Sequence, residues 1–212
     1  MIKWRQHESK ESIMKYINQQ DYPEKPYITR HELTGEEYEK GQKTTVKSSA
    51  CGLCSAIMVA DRLLVNYDFD LDDAIQLSYE TNANHLVGTD FRLFVPAFAE
   101  KLGLRYETTK NAEDLLHCLH TGGAAIALVG GDHDGKVGLF SHVGHYIVVI
   151  NEEPDGRLAI LDPSYNDGKY EEEGRQGKVE LKNGRIELCT KEALMDDLKK
   201  NSVAPLYLFW RK

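Results

Sequence analysis

Cys51, His145 and Asp162 are the residues in this sequence whose types and surroundings best suit covalent chemistry. Cys51 follows the small run Ser48-Ser49-Ala50 and precedes Gly52. The segment CSAIMVADRLL that comes next has apolar residues at helical spacing and no proline or glycine, which predicts a buried helix entered at Cys51. At a helix N-terminus the unpaired N–H groups and the macrodipole favour negative charge, and the thiolate is the nucleophilic form of cysteine. Gly52, without a Cβ, is expected to let a substrate backbone come close. A cysteine nucleophile needs a base within hydrogen-bond reach, and that base needs a partner to fix its tautomer. His145 opens the run HYIVVI directly after Gly144, a second candidate for the wall of a substrate cleft. Asp162 ends the run LAILD and precedes Pro163. EEPDG between the runs is a turn signal, so they read as a hairpin. In an antiparallel pair the start of one strand lies beside the end of the next, which places Asp162 near His145.

Other residues carry competing readings. Cys51-Gly-Leu-Cys54 is also a CxxC pattern, as in a redox dithiol or half a zinc site. A thioredoxin-like protein places it after a strand, and TTVKSSA is a poor strand; zinc needs a second ligand pair, and Cys118 and Cys189 stand apart. Asp132, His133, Asp134 and His142 lie in the glycine-rich stretch GGDHDGKVGLFSHVG and read as a solvated loop leading to His145 rather than as metal ligands. His117 and His120 read as surface residues, and Glu171-Glu172-Glu173 as a solvated charge run. No metal and no cofactor are expected.

The elements that must position these residues come in two groups. FDLDDAIQLSYET, DFRLFVPAFAEKLG and AEDLLHCLH predict helices after the Cys51 helix, with Asp70 as one N-cap and Pro96 as a source of a kink. AAIALVG, HYIVVI and LAILD then read as strands, GKVELKNGRIEL as a hairpin turning at Asn183-Gly184, LMDDLKK as a late helix and PLYLFW as a last strand. Helices followed by mainly antiparallel strands make an α+β fold. Residues 1–43 are charged with scattered apolar positions, and are expected to form an arm over the domain of residues 44–212. Within the arm IMKYINQQ predicts a short helix, and Trp4 is expected to pack on Trp210.

Composition narrows the partners. Hydrophobic residues make up 41% of the 212, enough for an ordinary core. The formal net charge of −8, with no basic stripe, argues against nucleic acid as a partner. The charged, polar start MIKWRQHESKES is unlike a signal peptide and no long apolar stretch spans a membrane, so the expected place is the cytoplasm, with four reduced cysteines. Oligomeric state is not legible.

Taken together, TVKSSACGLCSAIMV, GHYIVVI and LAILDPSY resemble the nucleophile, histidine and Asp-Pro motifs of the papain-like cysteine peptidases related to the double-glycine leader peptidases, which process bacteriocins in bacteria. Cys51, Gly52, Ser55, Met58 and Val59 match the nucleophile motif, whereas Leu53 and Cys54 stand where the family has proline and a small residue. The resemblance covers roughly residues 44 to 165. It implies a papain-like fold, with a nucleophile helix packed on a C-terminal antiparallel sheet, and a Cys51-His145-Asp162 triad that cuts a peptide or amide bond through an acyl-enzyme. It also implies a glutamine donor to the oxyanion about six residues before the cysteine. Thr45 occupies that position, and Gln42 is the nearest glutamine upstream. Two alternatives stand beside the hydrolase: a degenerate relative that binds peptides without cutting them, and a CxxC thiol oxidoreductase.

Overall fold

A seven-stranded sheet frames the protein, and every pairing in it is antiparallel. Its strands are β1 (Leu104–Thr109), β2 (Ala124–Val129), β3 (His145–Glu152), β4 (Leu158–Leu161), β5 (Val179–Lys182), β6 (Ile186–Cys189) and β7 (Leu206–Arg211), in the spatial order β1-β7-β2-β3-β4-β6-β5. The computed structural model describes residues 15–29, 44–85, 88–199 and 204–212. The run PLYLFW forms β7, which lies between β1 and β2 rather than at an edge. β1 has no counterpart among the sequence expectations: LRYETT is too polar to stand out, and it becomes a strand by pairing along β7. The hairpin of β5 and β6 turns at Asn183 and Gly184, both with positive φ (56° and 70°), as an Asn-Gly turn requires.

The helices are α1 (Val46–Ser49), α2 (Cys51–Leu63), α3 (Leu71–Glu80), α4 (Phe91–Lys101), α5 (Ala112–His120) and α6 (Lys191–Asp197). Asp70 caps α3 by accepting from the N–H groups of Asp72 and Asp73, and Asp90 caps α4 through Arg92 N–H. Helix α4 runs through Pro96 as one helix. One face of the sheet, with Ile126, Tyr146, Val148 and Leu161, packs into a core with α2, α3 and α4. The opposite face, with Ala127, Ile147, Val149 and Ile160, packs against α5 and α6. The sheet is therefore covered on both faces, which explains why AAIALV and HYIVVI are continuous apolar runs instead of alternating ones.

Residues 15–29 lie against this body, with Ile17 and Tyr27 buried in the α2–α4 core. The helix expected over IMKYINQQ does not form there: Lys15–Asn18 are irregular and only Gln19–Asp21 make a 3-10 turn. Their hydrogen bonds go across to other segments instead of along a helix, as with Gln19 N–H to Pro163 O at 2.7 Å and Asn18 Nδ2 to Tyr165 O at 2.7 Å. Trp4 and Gln42 lie outside the described residues. Trp210 has other partners, donating to Thr121 Oγ1 at 3.0 Å beneath the guanidinium of Arg105.

Candidate active site

The chain breaks its helix at Ala50, whose φ and ψ of −106° and 21° separate α1 from α2, so that Cys51 starts a fresh helix. Leu53, Cys54, Ile57 and Met58 bury the next turns. Ser55 Oγ donates to Tyr146 O at 3.3 Å and ties α2 to β3 one residue past His145. Gly52 is buried, and a Cβ there would come within 2.6 Å of the Phe91 ring and 3.1 Å of Tyr146. These rings stack on each other, with centroids 4.0 Å apart. The expectation that Gly52 opens a cleft to a substrate backbone is thus corrected: the space beside its Cα holds aromatic rings, and glycine is needed so that the helix can press on β3. Gly144 is exposed next to His145, with nothing closer to a Cβ there than Val129 O at 4.0 Å.

Pairing of Val148 with Leu161 brings the residue after β4 to the start of β3. Asp162 is fully buried there, and its Oδ1 accepts from His145 Nε2 at 2.7 Å and from Ser164 N–H at 2.7 Å. The other ring nitrogen is left free by this bond, and Cys51 and His145 each shift the other's protonation. Burial alone would push the thiol up, but the hydrogen bond and charge of His145, with the N–H groups of Tyr146 and Gly52, bring Cys51 below its ordinary value. Burial would push the imidazole down, but the charge and hydrogen bond of Asp162, then those of Cys51, raise His145 to about 9. Asp162 falls to about 2, because His145 and then Lys169 outweigh its burial. A thiolate beside an imidazolium is the state these shifts favour.

Several residues at the site carry no sequence signal. Lys169, in the loop between β4 and β5, forms an ion pair with Asp162 Oδ2. Glu187 on β6 is fully buried nearby, and neither of its carboxyl oxygens has a hydrogen-bond partner. The stretch that leads to His145 is held from below: Asp197 Oδ1 accepts from Leu139 N–H at 2.8 Å, and buried Arg175 donates to Gly138 O at 2.8 Å. Between this stretch and the β4–β5 loop is a cavity of about 460 Å³, lined by His145, Ser141, Ser164, Lys169 and Arg175 among others. None of these polar residues sits in a periodic pattern, so only their distant partners give them meaning.

Gln19 is another residue that sequence spacing missed. It is buried, its Nε2 donates to Lys47 O at 2.6 Å, and its Oε1 has no partner. It joins Lys47, on the turn before Cys51, to Pro163, directly after Asp162. Its distance from Cys51 in sequence hides it from a search for a glutamine just upstream.

The remaining chemistry-bearing residues have ordinary places. Cys54 is wholly buried, and burial with the neighbouring Cys51 pushes its thiol well up; all four cysteines are free. Asp132 accepts from Gly138 N–H at 2.7 Å and pairs with His142, which also meets Glu172. Among the described residues no group of three His, Cys, Asp or Glu side chains is arranged to hold a metal ion, and no helix is long and apolar enough to cross a membrane. His117 and His120 are exposed, the latter bonded to Glu152.

No family model and no curated protein matches the sequence. Solved structures do match. One is the peptidase domain of Streptococcus ComA, a bifunctional ABC transporter of a quorum-sensing pathway, with 19% identity over 76% of this chain and 91% of that domain and a TM-score of 0.47. Another, from Bacillus anthracis and described as a C39-like peptidase, has 10% identity over 94% of this chain and 95% of its own, with a TM-score of 0.53. With helices and an antiparallel sheet matched over nearly the whole of both chains, this protein has the papain-like fold of the C39-type peptidases.

Proposed function

We propose that the protein is a cysteine peptidase or amidase that cleaves a peptide or amide bond. The observation that carries this reading is the buried His145 Nε2–Asp162 Oδ1 bond at 2.7 Å, with Cys51 at the start of α2 coupled electrostatically to the same imidazole. The Cys51 thiolate attacks the carbonyl carbon and forms a tetrahedral oxyanion. His145 gives its proton to the nitrogen of the leaving amine as the C–N bond breaks, which leaves a thioester on Cys51. Water, deprotonated by His145, then attacks the thioester and releases the acid. Because the imidazole protonates the leaving group, the leaving side of the substrate belongs next to the polar cavity that His145 lines.

The oxyanion takes the Cys51 N–H and, in this reading, a side-chain amide: Gln42, which lies outside the described residues, or Gln19, whose Nε2 donates to Lys47 O. Gln19 is already buried between the segments that carry Cys51 and Asp162. Loss of such a donor lowers the rate by about 10²–10³-fold. A redox dithiol is disfavoured because Cys54 has no exposed surface for a partner thiol to reach.

Two measurements test the proposal. In native protein, iodoacetamide should label Cys51 well before Cys118 and Cys189; equal rates would remove the activated thiolate. Against a diverse peptide and amide library read by mass spectrometry, any cleavage should fall about 10⁴-fold or more in Cys51→Ala and His145→Ala. Cleavage that persists in Cys51→Ala would end the reading.

A further inference from the structure

The three residues of the proposed triad leave one buried cation unaccounted for. The Lys169 side chain is 7% exposed, and its Nζ donates to Asp162 Oδ2 and, at 3.4 Å, to Ser164 O. The two oxygens of Asp162 are thereby divided, Oδ1 to His145 and Ser164 N–H, Oδ2 to Lys169. A buried ion pair offers no general stability advantage over apolar packing, so a lysine at this place calls for another explanation. Charge balance supplies one. A Cys51 thiolate, a His145 imidazolium, an Asp162 carboxylate and a Lys169 ammonium sum to zero. Without the ammonium the same set carries a net negative charge, with the His145 and Asp162 side chains at most 7% exposed.

We propose that Lys169 is a positioning residue of this site, fixing the Asp162 carboxylate toward His145 and setting the pH range over which the thiolate–imidazolium pair exists. The inference rests on the triad reading given above. Its logic is that of a coupled titration. His145 and Asp162 together hold one exchangeable proton, and a positive charge on Oδ2 opposes its retention. Removing that charge makes the pair hold the proton to higher pH, and makes the nearby thiolate form at higher pH too. The other groups facing His145 and Asp162 are Cys51 from α2, Tyr16 from the N-terminal segment, Tyr170 from the loop and Glu187 from β6. Burial pushes both tyrosines and Glu187 up, and Lys169 is the charge that the test edits.

The test uses the full chain with Lys169→Met, Lys169→Gln and Lys169→Arg. The rate of Cys51 alkylation by iodoacetamide reports the lower limit of the ion pair, and the His145 ring resonance in NMR reports the upper limit. In Met and Gln variants both limits should move upward, by about one pH unit each. Lys169→Arg should return both curves to within a few tenths of a unit of the wild type. Folded Met and Gln variants whose curves superpose on the wild type would overturn the proposal. So would failure of both to fold beside a folded Arg variant, since Lys169 would then be only structural. A wild-type Cys51 that titrates like an ordinary thiol would instead defeat the triad reading itself, so the two failures are distinguishable.

Discussion

The two sides of the candidate site are built by different physics. The Cys51 side is apolar: α2 buries Leu53, Ile57 and Met58, and its first turn is pressed on the Phe91–Tyr146 stack. The His145 side is polar: Asp162, Arg175 and Asp197 are buried and the Lys169 side chain is only 7% exposed, and they hold the loops around the imidazole by charge-assisted hydrogen bonds. Dispersion and burial tolerate small shifts of many contacts, whereas a buried charge depends on one or two partners. Cys51 is therefore placed by redundancy and His145 by specific bonds. A helix end needs only to be held still, while an imidazole must be turned to a defined angle and kept in a defined protonation state.

The contrast can be broken from the apolar side first. Phe94→Ala removes a fully buried ring that packs against Phe91 and Phe98, and should cost about 3–5 kcal/mol in chemical denaturation. The pH dependence of Cys51 alkylation in the folded fraction should stay as in the wild type; a change there would mean that the two sides are not separable. Asp197→Ala strips the acceptor from Leu139 N–H and should cost about 1–3 kcal/mol. Here the alkylation profile should change as well, because the loop before His145 loses its anchor. Unaltered reactivity would show that the polar side is as redundant as the apolar one.

The smallest effect is also the sharpest. His145, raised to about 9, contributes stability that is present below the unfolded value of about 6.5 and is lost as pH rises through the folded one. Cys51, lowered, contributes stability that is present above its unfolded value of about 8.5 and is lost as pH falls through its folded value. Above about pH 6.5, and from the folded value of Cys51 up to its unfolded value of about 8.5, the two slopes cancel, since the native state keeps on the imidazole the proton that the unfolded chain keeps on the thiol. Urea unfolding of the wild type should show no contribution from this pair in that window. Cys51→Ala removes the thiol's contribution together with the part of the His145 rise that Cys51 supplies, and the part that Asp162 supplies should appear as an added fall of at most about 1.4 kcal/mol per pH unit above about pH 6.5. Parallel curves for the two proteins would mean that the proton is not shared in this way.

How much of this was legible follows the same division. Periodicity gave α2 through α5 and the central strands, because apolar burial leaves a regular trace. The hairpin argument alone set Asp162 beside His145, since pairing of adjacent runs follows from local order. Nothing local marks Lys169 in PSYNDGKYEEE, or Glu187 in a strand whose other residues look ordinary. Both derive their importance from partners far along the chain, as does Gln19. β1 was hidden for a related reason, because its mate is β7, about a hundred residues away. Gly52 was legible as significant, but the cause was misassigned: a sequence shows that a side chain is missing and does not show which neighbour excludes it.

The segment that crosses to the turn after β4 has a kinetic consequence. Tyr16 donates to Asp162 O across 146 positions of sequence, and Asn18 reaches Tyr165 O across 147. Closing so long a loop is slow and unrewarded until most of the intervening domain has condensed. During translation the carboxylate turn thus acquires its final support late, after α2 has long left the ribosome. A nascent chain carries Cys51 at a helix end well before it carries His145 and Asp162.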